Sequence, residues 1–219
     1  MFHAQNEQTR ARQAAYATLL EDLLILVGAE LPVAEERPEG RRISWHLARR
    51  AVGRAVEARA EAGPLPDEWF EPLIRAAVHE GSPSFVRDLI APAVDGFGRR
   101  RVRLALLAYL EGTVPDAAGA ARSWYATLVP VGYKPGTNEP TPESAAELEE
   151  VKDLDQRYAD STLRRFVADD DLGLRQALLP CLTLSPERYA KDLRPLVAEA
   201  IRIARTSDDE YLRRRIEDR

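Results

Sequence analysis

The 219-residue sequence predicts an all-α fold of about ten helices, packed as stacked antiparallel pairs. Three observations carry that prediction. Strand signals are nearly absent, with no run of alternating β-branched residues and no Asn-Gly hairpin turn. Apolar residues recur at helical spacing almost throughout, in stripes two residues wide that suit helices buried on a broad face. A short pattern of aspartate, two loose positions, leucine and arginine also returns along the chain, as expected where one helical unit is built repeatedly.

The first stripe holds Tyr16, Leu19, Leu20, Leu23, Leu24 and Val27 and is ended by Gly28 and Pro32. The second holds Ile43, Leu47, Ala51, Val52, Ala55 and Val56 and stops at Gly63-Pro64. Trp69, Phe70, Leu73, Ile74, Ala77 and Val78 form a doubled stripe closed by Gly81. Ser82-Pro83 then predicts a helix start, with a serine oxygen to cap and a proline where no N–H is needed. Phe85, Val86, Leu89, Ile90, Ala93 and Val94 follow, up to Gly96 and Gly98. Val102, Ala105, Leu106, Tyr109 and Leu110 make the next helix, ended by Gly112. Pro115 opens another, with Ala117, Ala120, Ala121, Trp124, Tyr125, Leu128 and Val129.

Residues 130–142, PVGYKPGTNEPTP, are too rich in proline and glycine for a helix and read as a long loop. Helix resumes near Glu143 through Leu148, Val151, Leu154 and Tyr158, with a break expected around Asp160-Ser161. Leu174, Ala177, Leu178, Cys181 and Leu182 follow, and after Ser185-Pro186 come Tyr189, Leu193, Leu196, Val197, Ala200, Ile201 and Ala204. A short last helix holds Tyr211, Leu212 and Ile216.

Asp-x-x-Leu-Arg occurs at Asp160 to Arg164, Asp171 to Arg175 and Asp209 to Arg213; the last two lie 38 residues apart and both follow another aspartate. An aspartate before a helix satisfies open N–H groups and meets the positive end of the helix dipole. The leucine points inward, and the arginine is placed to reach the capping acid of its own or a neighbouring turn. EPLIRAAV from Glu71 echoes RPLVAEAI from Arg194. With VRDLIAPAV, VRLALLAYL and LRQALLPCL, starting at Val86, Val102 and Leu174, these segments resemble the HEAT-repeat and armadillo-like α-solenoid superfamily, over roughly Leu65 to Arg219. Repeats there run about 40–47 residues per helix pair. The resemblance implies a short solenoid over 64–219 with the loop at 130–142, and an N-terminal helical pair, 1–63, packed on it as one continuous domain. An irregular helical bundle is the alternative.

Charged residues are 31% of the chain and the net charge is −5, which weighs against nucleic-acid binding. One cysteine, Cys181, excludes an intrachain disulfide and a Cys-based zinc site. The N-terminus lacks a signal-peptide pattern, and the longest apolar run, Leu23 to Ala29, is far short of a membrane span. The expectation is a soluble cytoplasmic protein without cofactor.

No nucleophile, phosphate-loop or metal motif stands out. His3, His46 and His79 are scattered, and His79-Glu80-Gly81 lacks the second histidine of a zinc protease helix. Asp169-Asp170-Asp171 lacks the glycine and glutamate of a calcium loop and reads as a capping cluster. Cys181 shares a face with Leu174, Leu178 and Leu182 and reads as a packed thiol. Gly96 to Arg103 is the strongest basic feature: two glycines at a helix start, with Arg99, Arg100, Arg101 and Arg103, suit an anion, or else a solvated helix face. Trp124, Tyr125, Tyr133 and Lys134 beside the proline loop suit a protein interface, or else Trp124 and Tyr125 belong to the core.

The function expected is a non-enzymatic interaction module that binds another protein, for example a bacterial accessory or immunity-type protein that holds an enzyme or toxin. The alternative implied by the resemblance is nucleic-acid binding of the kind seen in HEAT-like alkylpurine DNA glycosylases, with the arginine cluster on phosphates. A small-molecule regulator is a third reading.

Overall fold

A computed structural model describes residues 2–30 and 45–217, with side chains from residue 13 onward in those ranges. Pro32, Ile43 and the imidazole of His3 fall outside the described residues. Within them every regular element is helical: α1 (Phe2–Leu26), α2 (Trp45–Ala62), α3 (Phe70–His79), α4 (Arg87–Phe97), α5 (Arg99–Leu110), α6 (Val114–Trp124), α7 (Pro142–Ala168), α8 (Leu172–Leu178), α9 (Arg194–Thr206) and α10 (Glu210–Glu217). The all-α class therefore holds. Among the described residues no helix is long and apolar enough to cross a membrane.

The chain forms two compact units, Met1–Val102 and Arg103–Arg219. In the first, α1 packs on α2 and α3, and α4 packs on α2 and α3. The buried side chains are those of the predicted stripes: Leu20, Leu23 and Leu24 from α1, Leu73 and Ile74 from α3, Leu89 and Ile90 from α4. Each such side chain contributes about 1.5–3 kcal/mol on burial. The second stripe is turned by about one position from its prediction. Leu47 faces solvent, while Ala48, Arg49, Val52, Gly53 and Val56 face inward. Gly53 lets α2 and α4 approach closely, because a Cβ there would lie 2.5 Å from the Asp88 carbonyl oxygen.

Ser82-Pro83 does not cap an α-helix. Residues 83–86 form turns closed by Phe85 N–H and Val86 N–H to the Ser82 carbonyl, and α4 begins at Arg87. The serine's own N–H donates to Glu80 Oε1 at 2.9 Å, so this segment is held by Glu80 and leaves Phe85 outside. At the other end of α4 the chain turns at Gly98, whose φ of +87° is open to glycine at little cost.

In the second unit α7 packs on α8 and α9, α10 packs on α8 and α9, and α6 packs on α8. The scheme of the first unit recurs: first helices of neighbouring pairs touch, and so do second helices. The break expected at Asp160-Ser161 is absent, and α7 runs on to Ala168. Tyr158, Leu163 and Phe166 bury one face through that stretch, and Thr162 turns its hydroxyl back to the Tyr158 carbonyl at 2.6 Å. Packing of this face outweighs the modest propensity cost of Asp and Ser in a helix interior.

The recurring pattern maps onto this scheme. Asp171 accepts from Leu174 N–H at 2.8 Å and starts α8; Asp209 accepts from Leu212 N–H at 2.9 Å and starts α10. These are the second helices of consecutive pairs. The arginines do not reach the capping acids as expected. Arg175 donates to the Phe166 carbonyl near the end of α7, and Arg213 to the Ser207 carbonyl that follows α9. Each clasps the C-terminal end of the preceding helix, where the dipole is negative. Asp160 lies inside α7 and accepts from Gln156, so its match to the pattern is not a cap. EPLIRAAV and RPLVAEAI both form first helices, α3 and α9, whereas the segment at Val102 lies in α5, directly after α4. Alanine at Asp171 or at Asp209 is expected to cost about 1 kcal/mol each. Alanine at Asp160 is expected to cost under about 0.5 kcal/mol. Guanidinium denaturation of the three variants separates cap from coincidence.

Candidate functional site

The proline loop is tied to the start of α7. Thr141 N–H donates to the Gly132 carbonyl at 2.8 Å, and Gly132 N–H donates to Ser144 Oγ at 3.0 Å. Further out, Lys134 N–H donates to the Glu139 carbonyl at 2.9 Å, and the Lys134 ammonium pairs with the Glu139 carboxylate at 2.9 Å. Tyr133 and Pro140 form an isolated antiparallel bridge at the loop's neck. Backbone bonds of this number give the loop a defined shape that carries Tyr133 and Lys134 outward, both exposed.

The two readings of Trp124 and Tyr125 divide between the residues. Trp124 ends α6, is buried, and lies flat on Tyr158 with ring centroids 4.0 Å apart. The chain then makes a tight helical turn, Tyr125–Thr127, which rotates the next side chain away from the core; Tyr125 is 79% exposed. Leu128 follows and is also exposed. Sequence spacing places Leu128 in the core stripe, but it lies beyond the end of α6, where helical spacing no longer decides which way a side chain faces. Tyr125, Leu128 and Tyr133 are thus three large apolar side chains left outside within nine residues.

Arg103, expected with the anion-binding arginines, is instead buried in the second unit. Its Nε donates to Thr127 Oγ1 at 3.0 Å, Nη2 to the Thr127 carbonyl at 3.2 Å and Nη1 to Asp155 Oδ1 at 2.8 Å. The guanidinium carbon stands 4.9 Å from the Trp124 ring centre. This arginine fastens the turn after α6 to α7. In the first unit Arg101 is half-exposed, pairs with Asp67 at 2.6 Å and covers the rings of Phe70 and Phe97. Its guanidinium holds the Asp67 carboxyl below the usual carboxylate range, first by the hydrogen bond and then by charge. Arg99 and Arg100 are half-buried and each engages a partner.

The first unit holds a buried polar network centred on Arg49. Its Nη1 donates to Glu80 Oε2 at 2.6 Å and its Nε to Asp88 Oδ2 at 3.1 Å, while Nη2 stands 3.2 Å from His46 Nδ1. Tyr16 OH donates to the same Glu80 Oε2 at 2.6 Å. Phe85 closes over the guanidinium at 4.3 Å. Glu80 therefore receives donors on both oxygens, and the group reads as a clasp between α1, α2, α3 and α4 rather than a general base. Helical spacing could not find it, since Arg49 and Glu80 look like surface charges in sequence.

Burial, aided by Glu80, holds the Tyr16 phenol protonated far above its ordinary range. Burial likewise raises Tyr158, with a smaller push from Cys181, and burial raises Tyr189. A folded pKa above the unfolded one gives stability that is fully present below about pH 10 and is lost as pH rises beyond it. Each such tyrosine is expected to remove about 1.4 kcal/mol per pH unit there. Ultraviolet titration should show Tyr16 and Tyr158, two of the seven tyrosines, ionising only on unfolding, and Tyr16→Phe should flatten the alkaline slope.

Among the described residues, no group of three or more His, Cys, Asp or Glu is placed to hold a metal ion. Asp169 pairs with Arg165 and Asp171 caps α8, so two members of the acidic triplet serve helix ends. The Cys181 thiol is half-buried and points at the Ala177 and Ala121 carbonyls, at 3.7 and 3.8 Å.

Comparison of the chain with protein-family models, curated proteins and solved structures returns no match.

Proposed function

We propose that this chain is a non-enzymatic helical-repeat module that binds another protein, built on the plan of the HEAT and armadillo-like solenoids. The repeated pair-on-pair contacts support the architecture, together with the capping aspartate and clasping arginine at α8 and α10. One observation carries the function: Tyr125, Leu128 and Tyr133 stand exposed on a turn and loop whose backbone is held by hydrogen bonds. Exposed aromatic side chains on a preorganised scaffold bind at low entropic cost and are typical interface anchors. The buried side chains of Tyr16, Arg49 and Glu80, by contrast, are engaged with one another. The test is affinity enrichment of the tagged chain from its native lysate, with and without nuclease. A stoichiometric protein that survives nuclease and is lost on Tyr125→Ala with Tyr133→Ala supports the reading. Nucleic acid as the retained species replaces it with a phosphate contact at Arg99, Arg100 and Arg101.

A further inference from the structure

We infer that the partner binds by adding an extended strand along Val131 and Tyr133, completing backbone hydrogen bonds that the proline loop leaves open. The inference rests on the interaction-module reading and names the conformation of the partner segment and the side chain it brings to Tyr133.

The loop is a short hairpin. Tyr133 bridges Pro140 in antiparallel register, and the flanking residues supply the two hydrogen bonds of the bridge: Lys134 N–H to the Glu139 carbonyl at 2.9 Å and Thr141 N–H to the Gly132 carbonyl at 2.8 Å. The tip is Lys134-Pro135-Gly136-Thr137, closed by Thr137 N–H to the Lys134 carbonyl at 3.1 Å. Gly136 has a φ of +72°, as a type II turn requires at that position. With the bonds on its neighbours, Tyr133 is the non-hydrogen-bonded member of its pair, so its own N–H and carbonyl point away from Pro140. Gly132 turns both its groups inward, the carbonyl to Thr141 and the N–H to Ser144 Oγ at 3.0 Å. Strand alternation then sets the N–H and carbonyl of Val131 on the same outer edge as those of Tyr133, about 7 Å along it.

Among the described residues, none of these four backbone groups has a hydrogen-bond partner. Tyr133 is exposed and Val131 half-buried. The two edges of the hairpin are not alike. On the far edge Pro140 and Pro142 lie two residues apart and neither has an N–H, which is how strand edges are commonly guarded against pairing. The edge at Val131 and Tyr133 carries no such guard. Pro135, next along it, lacks an N–H and begins the turn, so the open stretch ends there with two donors and two acceptors.

Alternating N–H and carbonyl groups on an extended backbone are matched by another extended backbone. The hairpin bonds hold this edge in place, so a partner strand meets it already shaped, and main-chain hydrogen bonds supply the affinity. The partner residue opposite Tyr133 turns its side chain to the same face as the phenol ring, where a β-branched or aromatic residue packs best. That residue and the one opposite Val131 both need an N–H, which excludes proline at either. The occupant is a pliant segment and not a second folded copy of the chain. Two folded chains joined only along two residues fall far short of the roughly 1,600 Å² of a standard interface, whereas a segment can run on past the edge. Leu128, three residues before Val131 and so at most about 10 Å from it, is exposed within reach of such a segment.

The test selects a random-sequence peptide library on the immobilised full chain and remakes the enriched peptides with single backbone N-methyl groups. Methylation at two positions two residues apart is expected to weaken binding at least about tenfold each, and methylation of the residue between them to change it little. On the protein side, Tyr133→Ala keeps the outward N–H, while Tyr133→Pro removes it and leaves the donors to Glu139 and Gly132 in place. The proline variant is expected to bind at least about tenfold more weakly than the alanine variant. Should the proline variant fold poorly, the N-methyl scan against the wild type decides alone. No enriched peptide, or enriched peptides without the alternating N-methyl pattern, overturns the inference. Equal binding by folded alanine and proline variants overturns it as well, and either result with bound peptides leaves the protein-interaction reading standing. A dimer of the chain in solution that Tyr133→Pro abolishes gives the edge to a second copy and overturns the peptide partner. The protein-interaction reading fails separately, if the lysate enrichment returns no protein.

Discussion

Replacing Glu80 with alanine is expected to lower the unfolding free energy of the first unit by about 3–5 kcal/mol. The carboxylate is 6% exposed and takes the Tyr16 hydroxyl, an Arg49 N–H and the Ser82 backbone N–H. Its removal leaves Arg49, 3% exposed, with one exposed-side acid, Asp88, and leaves the Tyr16 hydroxyl without its acceptor. The cost lies mainly in that uncompensated burial and less in the intrinsic worth of the ion pair, which desolvation largely offsets. Glu80→Gln keeps an acceptor but not the charge and is expected to fall between. Arg49→Met combined with Glu80→Met should cost less than the sum of the single changes, since the pair then leaves no fully buried charge and Asp88, 34% exposed at its side chain, regains water. Denaturant unfolding read from Trp45, which meets Tyr16 edge-on at 6.0 Å, reports this unit. A loss for Glu80→Ala below about 1 kcal/mol would mean that water restores the missing contacts and that the network does not hold the four helices together.

The same network shows where sequence reading reaches its limit. Apolar stripes are legible because helix geometry repeats every 3.6 residues, and Leu20, Leu73, Leu89 and Val197 are buried where spacing places them. Arg49 escapes because spacing arguments send charge to the surface, and with Arg49 read as exposed the α2 face is drawn toward Leu47. Phe85 escapes for the converse reason: it is partly exposed because it covers a guanidinium instead of a leucine. The recurring pattern was legible as caps at Asp171 and Asp209, each preceded by another aspartate that disfavours a continuing helix. Asp160 follows Tyr158-Ala159, and nothing before it stops the turn. At the candidate interface, residue type named Tyr125, Tyr133 and Lys134, whereas the separation of Trp124 from its neighbour needed the point where α6 tightens into the next turn. The pairing of both lysines with acids of the same stretch becomes visible only with the loop and α7 in place.

Arg103→Ala is expected to destabilise the second unit by about 3–5 kcal/mol, comparable to the Glu80 change and in the other unit. The side chain is 1% exposed, and its planar fork addresses three acceptors while its face lies toward Trp124. Alanine removes the volume as well as the charge, so a cavity opens beside the stacked Trp124 and Tyr158 rings. Lysine cannot reproduce a fork that bonds Thr127 twice and Asp155 once, and Arg103→Lys should recover only part of the loss. Asp155 is 45% exposed at its side chain, so its carboxylate regains water when the arginine goes. The penalty is thus expected to arise on the Thr127 and Trp124 side, and the near-ultraviolet dichroism of Trp124 should weaken before the unit unfolds. Tyr125 sits one residue from Trp124 yet is mostly solvated, and Tyr125→Ala is expected to change stability by under about 0.5 kcal/mol. A partner bound at Tyr125 and Tyr133 would then lose affinity in both variants for different reasons: the tyrosine change removes an anchor from an intact unit, and the arginine change loosens the turn that presents it. Equal stability of wild type and Arg103→Ala would show that the turn after α6 is held without this arginine, and the presentation argument would fall with it.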